Sequence, residues 1–236
     1  VVLVVPQGAA AFECKTVDTR PFRSLFWSER SVPYALRAGS EDAIPAALAV
    51  ASSDVWGRAD CTDLFLDYEG IASAASDINQ IVMVEASWAA GGRAPRAVGL
   101  TTTEFESQTG RIVRADIELN ADLFSFTQTA SDSMGGPQND LQAVLTHEFG
   151  HLIGLDHTFN LTGSGATDPT MAPEVAACES SKRTLEADDV EGVCTLYPAG
   201  RPAQSCALPP DAEVDVANQP FGCRNPAGGW ELLLLL

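Results

Sequence analysis

Histidine is nearly absent from this chain: three occur in 236 residues. Basic residues are scarce too, with 14 Lys and Arg against 32 Asp and Glu and a formal charge of −18. A surface of that sign repels phosphate, which argues against nucleic acid and anionic membranes as partners. The six cysteines show no C-x-x-C spacing, so a cysteine-held zinc site is not expected. Internal repeats are missing, which excludes solenoid and propeller architectures. The run Leu232–Leu236 holds five leucines, far short of the ~20 residues that cross a bilayer.

What histidine there is sits together. All three fall in His147-Glu148-Phe149-Gly150-His151-Leu152-Ile153-Gly154-Leu155-Asp156-His157. The pattern is H-E-x-x-H-x-x-G-x-x-H. Apolar residues recur at Leu141, Val144, Leu145, Phe149, Leu152 and Ile153, a period near 3.6 that predicts a helix over 140–155. Asn139 or Asp140 can cap its start, just after Pro137. His147 and His151 then share one helix face and can hold one metal ion. Glu148 is placed to deprotonate a metal-activated water rather than to ligate. Gly154 can take a positive φ, which lets the chain double back and deliver His157 as a third ligand. Three protein ligands leave a fourth position open, the arrangement of a catalytic zinc.

The extended motif resembles that of the metzincin zinc endopeptidases. Those enzymes carry a methionine turn beneath the metal. Met171, in Asp168-Pro169-Thr170-Met171-Ala172-Pro173, is the candidate. Within the clan the chain is most similar to the matrixins, which include the matrix metalloproteinases. The resemblance runs from about Trp27 to Pro198. It includes a first strand at Ser31–Leu36, a helix at about Asp42–Trp56, the stretch Gly110–Asn120 and a closing helix Leu185–Pro198 with its Asp188-Asp189 pair. It implies hydrolysis of protein or peptide substrates. It also implies that the substrate pairs with a sheet edge at Ala97–Thr103, where Gly99 and Leu100 offer backbone hydrogen bonds. Matrixins commonly bind calcium; Asp116, Glu118, Asp122, Asp132 and Asp140 are the candidates. Two departures stand out. Thr158 replaces the serine usual after the third histidine in vertebrate members. The structural second zinc site needs histidines this chain does not have. Astacins place glutamate and adamalysins aspartate where Thr158 stands, so neither fits. An alternative is an inactive, zinc-containing secreted binding or adhesion module. The intact Glu148 speaks against it, and chelator-sensitive hydrolysis of casein would separate the two.

Strands are expected at Val32–Arg37, Asp63–Tyr68, Gln80–Ala86, Ala97–Thr103 and Arg111–Leu119, and helices near 42–56, 139–155 and 183–196. Strands early and helices later give an α+β domain, a twisted mixed five-stranded sheet with three helices and a zinc cleft. Residues 1–26 read as a signal remnant and arm, 27–198 as the catalytic domain, and 199–236 as a tail rich in proline and glycine. Val1–Val5 followed by Pro6 and Ala9–Ala11 resembles the end of a secretory signal, with cleavage before Phe12. The expected location is therefore secreted or cell-surface, and the expected state a monomer. Leu232–Leu236, with Cys223 upstream, resembles the sorting tails of myxobacterial surface proteins. That likeness implies a bacterial source and cell-surface or membrane anchoring. An even cysteine count in an exported chain suggests disulfides. The favoured pairs are Cys178–Cys194, Cys206–Cys223 and Cys14–Cys61. Alternatively, Cys14 could cap the zinc as an inhibitory thiolate, although its neighbours do not match that signal.

Overall fold

The alternating and apolar runs pair into one mixed sheet. The computed structural model describes residues 12–17, 23–129, 138–159, 168–204 and 206. The strands are β1 (Ser31–Arg37), β2 (Phe65–Ala72), β3 (Asn79–Val84), β4 (Gly99–Phe105) and β5 (Ile112–Asn120), in spatial order β2-β1-β3-β5-β4. β1, β2, β3 and β5 run parallel, while β4 returns antiparallel to β5 and forms an edge. Ile81, Ile117, Leu119, Val32, Tyr34 and Leu36 are all buried, and the central strands supply much of the core. The expected α+β fold, a mixed five-stranded sheet with three helices, is what the chain forms.

The helices are α1 (Ala46–Gly57), α2 (Leu141–Leu152) and α3 (Ala187–Leu196). α1 begins later than the expected 42 because Pro45 stands at its cap, and Ala43 and Ile44 bond back to Ser40 in a turn. α2 is buried along nearly its whole length, so it is a core helix rather than a surface one. It packs on α1, β4 and β5. Trp56 of α1 donates its indole N–H to Thr146 O at 2.9 Å. A short parallel ladder, β6 (Phe126–Thr127) with β7 (Asn139–Asp140), leads into α2. Two-residue strands carry no readable period, and the sequence did not announce them.

The chain ends of the domain wrap the far end of α2. Residues 12–17 lie beside the loop after α2: Lys15 N–H donates to Gly154 O and Asp156 N–H to Glu13 O, both at 2.9 Å. Residues 199–206 also pack on the domain. Ala199 N–H reaches Cys61 O at 2.8 Å, and Gln204 N–H reaches Leu196 O at 2.9 Å. Two disulfides form: Cys14–Cys206 ties the two ends together, and Cys61–Cys194 joins the loop after α1 to α3. The expected pairs Cys178–Cys194 and Cys14–Cys61 are therefore corrected, and so is Cys206–Cys223. Cys178 is unpaired. The inhibitory-thiolate role for Cys14 falls too, since its sulfur is bonded to Cys206. Asp132, Cys223, Leu232–Leu236 and the signal-like start lie outside the described residues. No helix among the described residues is long and apolar enough to cross a membrane.

Candidate metal centre

The motif helix is fixed at both ends. At its start, Asp140 Oδ1 accepts Ala143 N–H at 2.9 Å, a side-chain cap. Arg183 grips both oxygens of the same carboxylate, at 2.9 and 2.6 Å. At its end, Gly154 takes φ +101. Leu155 N–H bonds back to Gly150 O at 3.0 Å and Gly154 N–H to His151 O at 3.1 Å, a Schellman turn. The last carbonyls find partners from distant chain. Trp27 Nε1 donates to Leu152 O at 2.8 Å, and the Tyr197 hydroxyl to Ile153 O at 2.6 Å. Leu25 O also passes where a Cβ on Gly154 would stand, so the glycine serves both the turn and the passing arm.

That turn carries His157 back over His147 and His151. His157 Nε2 lies 3.2 Å from His147 Nε2 and 3.1 Å from His151 Nε2. All three rings are buried. His147 Nδ1 lies 2.6 Å from Thr170 O, and His151 Nδ1 lies 2.9 Å from Leu155 O. A carbonyl only accepts, so both Nδ1 atoms carry the proton and both Nε2 lone pairs point inward. Burial pushes all three histidines below their ordinary pKa, His157 to about 3; the Lys15 cation pushes the same way on all three, and Lys182 on His147 and His157. The rings are thereby held neutral, as metal ligands must be.

Glu148 follows His147 on α2 and is 1% exposed. Its Oε2 accepts the Thr101 hydroxyl of β4 at 2.6 Å. Burial raises its pKa to about 7, against the Thr101 hydrogen bond and the cations Lys15 and Lys182. Beneath the histidines, Asp189 of α3 accepts Thr170 N–H at 2.8 Å and Met171 N–H at 3.0 Å. Thr170 O in turn holds His147. Thr158 joins the same net: its N–H donates to Met171 O at 2.9 Å, and its hydroxyl to Asp188 Oδ2 at 3.0 Å. The Met171 thioether packs where a side chain at Gly150 would go.

A family model described as Matrixin matches residues 66–198, more than half of the chain. The chain belongs to the matrixin family. Comparison with curated proteins found no match. As a matrixin it is a zinc metalloendopeptidase, acting on protein or peptide substrates. The three-histidine cluster of this matrixin fits that ion. Its ligand atoms lie within 4.8 Å of one another, and no other such group of His, Cys, Asp or Glu occurs among the described residues. Nitrogens on a tetrahedral zinc with bonds of 2.0–2.1 Å stand roughly 3.3 Å apart, close to the 3.1 and 3.2 Å found here. The inward lone pairs of His147 and His151 converge with His157 Nε2 on one point, a donor set that suits a metal ion.

The calcium candidates among the described residues are engaged by the protein itself. Asp116 accepts Gln80 N–H and pairs with Arg114, Glu118 pairs with Arg93, and Asp122 accepts Trp88 N–H. Asp140 is the helix cap already described. Sequence reasoning missed Thr101, Trp27 and Tyr197 as parts of this site. Each touches the motif from far along the chain, and none belongs to a local pattern. Asp189 was visible only as half of the Asp-Asp pair.

Proposed function

We propose that His147, His151 and His157 hold one catalytic zinc through Nε2, and that Glu148 is the general base of a secreted endopeptidase. The convergence of three buried Nε2 atoms carries the reading. When bound, zinc supplies Lewis acidity, polarising the scissile carbonyl and lowering the pKa of water toward neutrality. Glu148 supplies the proton traffic: a carboxylate raised to about 7 can take a proton near neutral pH and return it to the leaving amine. Met171 forms an apolar floor, packed against α2 at Gly150, that limits movement of the imidazoles.

The substrate lies extended along β4, the edge strand of the sheet that packs on α2. Asn120 N–H donates to Val98 O, and Leu100 is in register with Glu118. Antiparallel alternation then turns the peptide groups of Leu100 toward β5 and those of Gly99 and Thr101 outward. Gly99 thus offers backbone bonds to a substrate, while Leu100 offers its half-exposed side chain. The two disulfides favour an oxidising, extracellular compartment, and the enzyme acts as a monomer. The functional unit runs from the arm at Phe12 to Cys206 rather than from Trp27 to Pro198, since both ends pack on the motif helix or its neighbours.

Hydrolysis of casein tests the reading. A chelator should abolish it, and one equivalent of zinc should restore it. Turnover that survives complete zinc removal would defeat the proposal.

A further inference from the structure

We propose that Thr101 is a positioning residue for Glu148: its hydroxyl fixes Oε2, which leaves Oε1 as the oxygen that takes the proton. The inference rests on the reading of Glu148 as the base. Thr101 and Gly99 stand two apart on β4, so both present the same face, the one packed on α2. Thr101 is 8% exposed and its Oγ1 lies 2.6 Å from Glu148 Oε2 and 3.2 Å from Glu148 O. A hydroxyl has one proton to give. The shorter contact, within the range of a charge-assisted O–H···O bond, takes it. Gly99 makes that reach possible. A Cβ there would collide with Oε1 and the carboxylate carbon, so the bare strand closes directly over Glu148.

The consequence is geometric. A glutamate side chain has several rotatable bonds, and a base must sit within hydrogen-bond reach of the proton it abstracts. The Thr101 hydroxyl is hydrogen-bonded to this carboxylate, while Lys15 and Lys182 act on it through their charge. Without the hydroxyl, Oε2 loses the bond that sets its direction, and a misplacement of about 1 Å can cost on the order of a hundredfold in rate.

The test uses the full zinc-loaded chain with Thr101→Val, which keeps the shape and removes the hydroxyl, and Thr101→Ser, which keeps the hydroxyl. Each is assayed on a soluble peptide well below its Tm, with zinc per chain measured alongside. Thr101→Val should lose about ten- to a hundredfold in kcat, with KM little changed and one zinc still bound. Thr101→Ser should recover most of the rate. In a Glu148→Ala background, Thr101→Val should remove nothing further. The inference is overturned by wild-type kcat in Thr101→Val, by equal loss in Thr101→Ser, or by zinc lost in step with activity. Glu148→Ala separates the two levels. If it is inactive while Thr101→Val is normal, only the positioning role fails; if it is active, the general-base reading fails with it.

Discussion

Met171 shows how one residue's role depends on another's absence. Gly150 lies inside a helix, where glycine is unfavourable. Its missing side chain leaves the space that the Met171 sulfur and the Trp56 ring fill. Met171→Leu nearly conserves volume and should cost less than about 1.5 kcal/mol. The variant should fold, bind one zinc and keep measurable turnover. Zinc content and thermal unfolding check this; an unfolded or zinc-free variant would contradict the floor role. At this scale the sequence was legible wherever the chemistry is local. His147, Glu148, His151, Gly154 and His157 lie within eleven residues, and helical spacing alone brings the first two histidines together. Thr101 and Asp189 were opaque because their contacts span 47 and 18 residues, and no local period records such a distance.

The five strands and three helices were legible from apolar period and turn residues, with boundaries displaced where a local rule intervened. Pro45 delays α1. The Schellman turn at Gly154 ends α2 at Leu152 rather than Leu155. Both candidate caps lie in β7, and it is Asp140 whose side chain caps the helix. Asp140 is the sharper test at this scale, since its buried carboxylate serves both Ala143 N–H and Arg183. Asp140→Ala removes a cap and strands a partly buried guanidinium, so it should cost about 2–4 kcal/mol. Denaturant unfolding measures this, and a loss below half a kcal/mol would show that the cap does not anchor the motif helix.

For the whole molecule, the cysteines were the least legible feature. Their pairing follows from which chain ends meet, and Cys14 meets Cys206 across a separation of 192 residues. That bond clamps the arm beside Gly154 and Asp156, next to the third ligand. Replacing both cysteines with serine should cost about 2–5 kcal/mol, read as a fall in Tm, and a chain cut after Gly200 should show the same loss. An unchanged Tm in both would mean that the clamp does not stabilise the domain. The central claim is narrower: three histidines hold the zinc, and Glu148 alone moves the proton. Glu148→Ala in the full chain tests it most directly, with zinc per chain and casein hydrolysis measured on one preparation. The account predicts one zinc per chain and a rate at least about a hundredfold lower. A near wild-type rate, or zinc lost together with the carboxylate, would contradict it.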